Sequence, residues 1–404
     1  MSRGPHAATL LDMALRVLCA SIPQAGHLRP LLPLAGELAA AGHEVVVATG
    51  GESAEMVNGA GLEHRAVGPE LGGLFAELAA RTRGRPGEGL APERVEAYFI
   101  PRLFAEVGLA AIADELHELV ASWRPDLLVY EPYSLAAPMV AASHGVPAVE
   151  HGIGLPFAEE VARLVADAVT PAWAATGLPA PGPSPARLYL DVCPPSLAPA
   201  GNAAVGPRQP LRPAPLPVDA PLPVALPDPG RPLVCATLGT FANGDVARFG
   251  LILRALATMP VNVLVTAGDD DVAAAIGDVP ANAVVRGFVP QAAVLPSCAA
   301  VVHHAGAGTA FGVLAHGLPS LALPQSADNF RIAGALGAAG AARVLMPAEV
   351  TVDAMRTALA EVLAGSACRE AAQEIAREIA AMPAPVDVLP VLTALSRRTR
   401  EDHR

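Results

Sequence analysis

Near the start of the chain the sequence reads Leu15-Arg-Val-Leu-Cys-Ala-Ser-Ile22, then a helical pattern from Leu31 to Ala41, then Gly42 and Glu44-Val-Val-Val-Ala-Thr49. The first and last of these segments are short and apolar, which is typical of buried strands. The glycine ends the helix between them. Because a helix joins two buried strands, this stretch predicts a βαβ unit and hence a parallel α/β sheet.

The same alternation of strands and helices continues along the rest of the chain. A helix is predicted from Val95 to Trp123, with loops from Gly68 to Pro92 before it. Further strands are predicted at Asp126-Leu-Leu-Val-Tyr130, Val146 to Val149, Leu233-Val-Cys-Ala-Thr237, Val261 to Thr266, Ala283 to Arg286, Ala300 to His303 and Ser320 to Leu323. The predicted fold class is therefore α/β, with two doubly wound, Rossmann-like domains that face each other across a cleft.

The boundary between the domains is a run of ten prolines within residues 207–232. Such a density of proline favours a stiff, extended connection over a packed element. We therefore predict an N-terminal domain at residues 1–206, a linker at 207–232 and a C-terminal domain at 233–382. Residues 383–404 are expected to form a terminal helix with the freedom to pack back on the N-terminal domain. Two domains also suit a chain of 404 residues.

Composition excludes several classes of protein. The chain is 52% hydrophobic and 16% charged, so it is globular, and its net charge of −12 has the wrong sign for nucleic-acid binding. The longest uncharged stretch is broken by prolines and glycines, so no membrane span is expected. Five cysteines without a CxxC pair predict neither a disulfide framework nor a zinc site, which indicates a cytoplasmic protein without a metal. Asp12 and Arg16 interrupt any secretory leader, and Met13 offers an alternative start.

A glycine-rich loop follows one of the predicted strands, in the stretch Val302-His-His-Ala-Gly-Ala-Gly-Thr-Ala-Phe-Gly312. Gly306 and Gly308 let the backbone approach a ligand closely, and the start of a helix offers free N–H groups to a phosphate. The spacing is not that of a dinucleotide site, because Phe311 stands where the third glycine is required. The loop predicts a pyrophosphate site; the alternative is that its glycines only allow strand and helix to pack.

Several motifs together carry a resemblance to a known family. They read Gly26-His-Leu-Arg-Pro30, Thr237-Leu-Gly-Thr240, Phe288-Val-Pro-Gln291, His303-His-Ala-Gly-Ala-Gly-Thr309, Gly317-Leu-Pro319 and Pro324-Gln-Ser-Ala-Asp-Asn329. In order and spacing they resemble the inverting family-1 glycosyltransferases, above all the bacterial enzymes that decorate macrolides, enediynes and related antibiotics. The resemblance implies a GT-B fold, with the acceptor held by the N-terminal domain and the nucleotide sugar by the C-terminal domain.

The resemblance also implies roles for individual donor-binding residues. The nucleobase is expected against Phe288 and the main chain of Val289, and the ribose beside Gln291. The diphosphate is expected at His304, Gly306, Gly308 and Thr309, with a further contact from Thr240. The sugar hydroxyls are expected at Asp328 and Asn329. From the residues alone, Phe288 is equally compatible with a core aromatic, and Asp328 with a helix N-cap.

The donor motif departs from the family pattern at two positions. The usual Asp-Gln pair is Asp328-Asn329 here, and Ile332 replaces the asparagine that commonly follows. Because asparagine is one methylene shorter than glutamine, we expect one sugar hydroxyl to go unread. The expected donor is therefore a deoxysugar. TDP is expected as its carrier ahead of UDP, and the choice between the two stays open.

The expected catalytic pair is His27 and Glu131. His27 lies in the turn after the first strand, and imidazole is suited to take a proton from an acceptor hydroxyl near neutral pH. Glu131 follows a neighbouring strand, at a position where the resembling enzymes often carry Asp, and would orient the imidazole. The alternatives are a histidine that only binds its turn and a solvated glutamate.

These observations predict an inverting glycosyltransferase that moves a sugar from a nucleoside diphosphate to a hydroxyl of an apolar natural-product aglycone. Its partners are then two small molecules, with no cofactor, and the protein is a monomer or homodimer. Two alternatives stay open: a nucleotide-sugar epimerase of GT-B fold, and a non-catalytic nucleotide-sugar-binding partner of a transferase. An esterase is not expected, because no GxSxG motif accompanies His151-Gly-Ile-Gly154.

Overall fold

The computed structural model describes residues 14–82, 85–179, 186–199, 206–213, 222–239 and 245–402. Within these residues the chain forms two all-parallel sheets, one of seven strands and one of six. Each sheet has helices on both faces, and the two domains face each other across a deep cleft. The fold class predicted from the sequence is confirmed.

The N-terminal domain is built on strands in the order β3-β2-β1-β4-β5-β6-β7. Its strands are β1 Arg16–Ala20, β2 Glu44–Thr49, β3 Glu63–Ala66, β4 Leu127–Tyr130, β5 Ala148–His151, β6 Leu188–Asp191 and β7 Arg208–Pro210. Its helices are α1 Ala25–Leu28, α2 Leu32–Ala40, α3 Ala54–Gly59, α4 Leu71–Thr82, α5 Val95–Phe99, α6 Leu109–Trp123, α7 Ala136–Ser143 and α8 Glu159–Ala175. Strand β1 is buried on both faces, since Val17 packs into one hydrophobic cluster and Leu18 into another.

The C-terminal domain has the strand order β10-β9-β8-β11-β12-β13. Its strands are β8 Leu233–Thr237, β9 Asn262–Thr266, β10 Ala283–Arg286, β11 Cys298–His303, β12 Ser320–Ala322 and β13 Ala342–Val344. The remaining helices are α9 Val246–Leu256, α10 Asp270–Ala275, α11 Gln291–Val294, α12 Ala307–Ala315, α13 Asn329–Ala338, α14 Val352–Ala364, α15 Ser366–Ala381 and α16 Pro385–Asp402. Sequence order reverses between β8 and β11 here, as it does between β1 and β4, and such switch points are where open α/β sheets bind ligands.

Two stretches of the N-terminal domain differ from the sequence-based expectation. Residues 68–92 were predicted to be loops, but α4 lies within them and buries Leu74 and Leu78. The long predicted helix is present, but residues Ile100–Gly108 within it are π-helical. Pro101 explains the wider turn, because proline lacks an N–H and crowds the preceding turn of an α-helix.

The linker between the domains is shorter than the proline-rich segment from which it was predicted. Strand β7 lies inside the range assigned to the linker, but it pairs with β6 and so extends the N-terminal sheet beyond residue 206. On the other side, Val224 packs into the core of the C-terminal domain. Prolines at the edge of a sheet are tolerated because no neighbour needs their N–H.

The terminal helix α16 packs on the N-terminal domain, against α2. Its residues Val388, Leu389 and Leu392 are buried in the same cluster as Leu34 and Leu38 of α2. The chain therefore crosses between the domains twice, and the two crossings meet where the Arg212 N–H donates to the Pro383 carbonyl at 2.8 Å.

Within the described residues, no single helix has the length and apolar character needed to cross a bilayer. The segments Ser366–Ala381 and Pro385–Arg397 meet those criteria only when taken together, across a 43° bend.

Candidate active site

A cavity of about 830 Å³ lies between the two domains. Its walls come from the ends of strands in both sheets, so it occupies both switch points at once. The N-terminal domain contributes the loop after β1 and the helix α5, and the C-terminal domain contributes the loops after β8, β11 and β12.

His27 and Glu131 meet at the N-terminal wall of this cavity. The Nδ1 of His27 lies 2.9 Å from Oε2 of Glu131, whose side chain is fully buried. The same carboxylate accepts the Ile22 N–H at Oε1 (3.1 Å) and the Tyr133 N–H at Oε2 (2.9 Å). Because a carboxylate only accepts, Nδ1 carries the proton and Nε2 keeps the lone pair that a base needs. Glu131 is thus not a solvated loop residue.

A second cleft histidine, His151, is poorly suited to act as the base. Burial lowers its pKa to about 4, and its Nδ1–H donates to the Gly152 carbonyl at 2.7 Å. A backbone carbonyl stabilises an imidazolium less than a carboxylate does. The structure therefore distinguishes the two histidines by their partners.

Aromatic side chains surround His27. Tyr133 contacts the imidazole edge to face, with ring centroids 4.3 Å apart, and Phe104 and Phe157 pack around Tyr133. Phe75, Phe99, Phe104 and Tyr133 line the cavity. Trp173 instead lies in the core of the N-terminal domain. The space next to His27 is therefore apolar.

On the opposite wall, the glycine-rich loop leads directly into α12. Gly306 is the N-cap of this helix, and its first turn has no side-chain cap. An added Cβ at Gly308 would meet no atom within 4 Å, so the helix start faces open space. The uncapped N–H groups and the positive end of the helix dipole are thus available to an anion.

The two adjacent histidines of this loop do different things. His303 is buried, and its Nδ1 accepts the Ala305 N–H at 3.0 Å, which holds Ala305 in a left-handed conformation with φ of 65°. His304 lines the cavity, and its Nδ1 has no hydrogen-bond partner among the described residues. Burial lowers the pKa of His304 to about 4, so it is neutral near pH 7. His303 shapes the turn, and His304 faces the ligand space.

Gly239, after β8, holds His304 in place. It has φ of +80°, and a Cβ built on it would lie 2.6 Å from Cε1 and Nε2 of the imidazole. We expect Gly239→Ala to displace His304 and to raise the Kd for thymidine diphosphate by roughly tenfold, the loss of about one charged hydrogen bond. Isothermal titration calorimetry measures this directly.

Gly42→Ala is the matched control for this prediction. Gly42 has a similar φ of +88° but nothing within 4 Å of an added Cβ, so it carries the same backbone strain of about 1–2 kcal/mol without the clash. If both variants bound the nucleotide equally well, His304 would have no part in holding it.

The residues predicted to hold the nucleobase and ribose line the cavity. Phe288 is 56% exposed, so it is not a core aromatic, and the Arg29 guanidinium lies 5.3 Å from its ring centroid. Val289 is buried. Gln291 donates from Nε2 to the Thr309 hydroxyl at 3.0 Å, which joins the ribose and diphosphate positions into one surface.

Asp328 and Asn329 stand at the start of α13 and line the cavity. Asp328 occupies the N-cap position, but its side chain makes no capping hydrogen bond. It instead accepts from Asn329 Nδ2 at 3.3 Å, and burial, reinforced by Glu96, raises its pKa to about 6. Its carboxyl group is therefore available to a ligand. Thr240 lies outside the described residues.

Sequence reasoning missed three charged residues at the cleft. Arg29 faces Phe288 from the other domain and forms no ion pair within the described residues. Arg331 donates from Nε and Nη2 to both oxygens of Glu96, at 2.7 and 3.0 Å. Arg29 stands two residues after His27 in the motif Gly26-His-Leu-Arg-Pro30, which was a usable signal. The pairing of Arg331 with Glu96 spans 235 residues and leaves no local signature.

No group of three or more metal-ligating side chains occurs in the part of the chain that the structure describes. Among the polar groups of the cleft are a histidine–carboxylate pair on one wall and the uncapped start of α12 on the other.

Two facing Rossmann-like domains with this cleft define the GT-B fold. Comparison with known proteins agrees. Residues 37–209 match the N-terminal domain and residues 250–395 the C-terminal domain of the family described as erythromycin biosynthesis protein CIII-like. The chain belongs to this EryCIII-like family and is a glycosyltransferase.

Individual relatives match along nearly the whole chain. L-demethylnoviosyl transferase of Streptomyces niveus is 34% identical, over 95% of this chain and 99% of the relative. The 10-deoxymethynolide desosaminyltransferase of Streptomyces venezuelae is 30% identical, over 96% and 98%. Among solved structures, the spinosyn rhamnosyltransferase SpnG complexed with thymidine diphosphate superposes with a TM-score of 0.78, at 27% identity, over 94% of this chain and 100% of that one. SpnG is also known complexed with spinosyn aglycone.

Proposed function

We propose that this enzyme transfers a deoxysugar from TDP to a hydroxyl group of an apolar natural-product aglycone, with inversion at the anomeric carbon. The observation that carries the proposal is the placement of a histidine–carboxylate base and an uncapped helix start on opposite walls of one cavity. The aglycone and the nucleotide sugar are both substrates, and no cofactor takes part.

The acceptor half of the reaction belongs to the N-terminal wall. The apolar aromatic surface around His27 suits a hydrophobic aglycone. His27 Nε2 takes the proton of the acceptor hydroxyl as its oxygen attacks C1 of the sugar. The Glu131 carboxylate holds the Nδ1 proton and stabilises the imidazolium that forms.

The donor half belongs to the C-terminal wall. As the bond between C1 and the diphosphate oxygen breaks, negative charge grows on the leaving diphosphate. In this proposal the N–H groups of α12, the Thr309 hydroxyl and the His304 imidazole stabilise that charge. Because the oxygen enters opposite the leaving group in a single displacement, the configuration at C1 inverts.

The choice of TDP is supported by SpnG, which was solved with thymidine diphosphate and spans nearly the same length. The choice of a deoxysugar is supported by the short Asn329 side chain, which is 7% exposed and already engaged with Asp328 and the Ser326 N–H. A site that leaves one hydroxyl unread loses little when that hydroxyl is missing, because no buried partner stays unpaired.

We expect Asn329→Gln to shift donor preference toward a fully hydroxylated hexose. The longer amide extends further into the cavity, and one hydrogen bond gained corresponds to about 1–2 kcal/mol. The measurement is kcat/KM for TDP-glucose and for a TDP-deoxysugar in both proteins, with the Kd of thymidine diphosphate as the control. A wild type that prefers TDP-glucose 100-fold, with no shift in the variant, would mean that other residues read the sugar.

The proposed function is tested by mass spectrometry of reactions between a panel of TDP- and UDP-sugars and a panel of apolar hydroxylated aglycones. Transfer should require both substrates and proceed with TDP-deoxysugars. Conversion of a nucleotide sugar into an isomer without an acceptor would instead indicate an epimerase. Binding without any turnover would indicate a non-catalytic partner of another transferase.

A further inference from the structure

Arg331 makes a bridge between the two domains just beyond the donor-sugar residues. It lies on α13, two positions after Asn329, and its guanidinium donates to both oxygens of Glu96 on α5. A third bond runs from Nη1 to the Pro156 carbonyl at 2.9 Å, also in the N-terminal domain. Three charge-assisted bonds from one planar group fix both distance and orientation.

This bridge is less exposed than most of the ion pairs among the described residues. The Glu96 side chain is 9% exposed and that of Arg331 25%. The Arg94–Glu160 pair lies close by in the same domain as Glu96, with side chains 57% and 50% exposed. An exposed pair is weak, whereas a buried pair leaves an uncompensated charge when one partner is removed.

Both ends of the bridge are attached to substrate-binding elements. On the C-terminal side, Arg331 shares the first turn of α13 with Asn329. On the N-terminal side, Glu96 shares α5 with Phe99, which lines the aromatic part of the cavity. Among the described residues, neither Glu96 nor Arg331 forms a hydrogen bond with His27 or Glu131. The bridge therefore joins the helix that begins with Asn329 to the wall that carries Phe99.

On the basis of the proposed function, we propose that Glu96 and Arg331 are positioning residues. They hold the donor sugar and the acceptor in the relative position that transfer across the cleft requires. Arg331 also lies near Asp328, and its pairing with Glu96 leaves the Asp328 carboxyl free to contact the sugar. Without Glu96, the guanidinium is expected to turn toward Asp328 and compete with the sugar.

The test is a double-variant cycle of Glu96→Gln, Arg331→Met and the two combined. We expect each single variant to lower kcat/KM for transfer at least tenfold. The double variant should have a kcat/KM no lower than that of the less active single variant, because both substitutions remove the same bridge. The Kd for thymidine diphosphate should change less than twofold, since the nucleotide residues lie on the C-terminal domain. The controls Arg94→Met and Glu160→Gln should leave transfer within twofold of wild type.

Hydrolysis supplies a readout that simple destabilisation would not produce. In the loosened cleft, water takes the place of the acceptor at C1 and yields free sugar and TDP, so the ratio of hydrolysis to transfer should rise in the bridge variants. Arg331→Lys keeps the positive charge but lacks the planar guanidinium that donates to both oxygens of Glu96. Its transfer activity should therefore lie between that of Arg331→Met and that of wild type.

The proposal is overturned if the two single effects simply add, if nucleotide affinity falls in parallel with transfer, or if both single variants stay within twofold of wild type. Should the wild type transfer no sugar at all, the proposed function fails, but the bridge is still tested by small-angle X-ray scattering. The variants should then show a larger radius of gyration than wild type and the two control variants; equal radii would contradict the bridge.

Discussion

The His27→Ala variant is expected to transfer sugar about 10³-fold more slowly than wild type, within the range typical of a lost general base. In the wild type, the Nε2 of His27 is the ring nitrogen left free by the contact between Nδ1 and Glu131. Nucleotide affinity should be nearly unchanged, because the donor residues stand on the opposite wall of the cleft. The measurements are kcat with saturating substrates and the Kd for thymidine diphosphate.

His117 gives the control, because it does not line the cavity and its imidazole contacts that of His144. His117→Ala should keep the wild-type kcat and Kd. A His27→Ala variant that retained most of the wild-type kcat would show that another group, or water alone, removes the acceptor proton.

Glu131→Gln is expected to lower kcat by at least about 10²-fold, and the reason is geometric as well as electrostatic. The Glu131 carboxylate accepts three hydrogen bonds, from Ile22, Tyr133 and His27. An amide has only one oxygen, so in either orientation its NH₂ group faces a buried N–H. If it faces His27, the imidazole must move its proton to Nε2, and the lone pair that takes the acceptor proton is lost.

The Glu131→Asp variant distinguishes the effect of the negative charge from the effect of side-chain length. Aspartate keeps both oxygens and the charge but is one methylene shorter, so we expect it to retain more activity than Glu131→Gln. Thermal unfolding accompanies the kinetics, because the unpaired N–H in the glutamine variant costs about 1–3 kcal/mol. Equal activity of Glu131→Gln and wild type would limit Glu131 to a structural role.

The fold and much of the candidate site follow from local sequence patterns. Buried strands such as β1 and β11 are short apolar runs, and the loop after β11 carries its glycines and His304 within a few residues. Since parallel strands end at one edge of a sheet, the order of strands also brings Glu131 to His27. The contact between them joins residues 104 positions apart, yet strand order alone places both at the same edge.

The features that sequence reasoning missed depend on contacts between distant elements or on weak local signals. Helix α4 carries Gly72 and Gly73, which mask the helical spacing of Leu71, Leu74 and Leu78. Its apolar residues pack against Ile22 and the folded π-helical segment, which are distant in sequence. Likewise, Glu96 and Arg331 each look like ordinary helix-surface charges until the two domains face each other.

The docking of α16 on the N-terminal domain has a consequence for biosynthesis. Leu34 and Leu38 of α2 are translated well before Val388 and Leu392, which lie in the helix that follows the C-terminal domain and cover the same cluster. Domains generally fold in the order in which they are translated. Here the C-terminal domain can complete its core while the first domain still waits for its final helix. The apolar face of α2 is therefore covered only after α16 has been translated, and a chain truncated before α16 would leave that face exposed to the quality-control proteases of the cell.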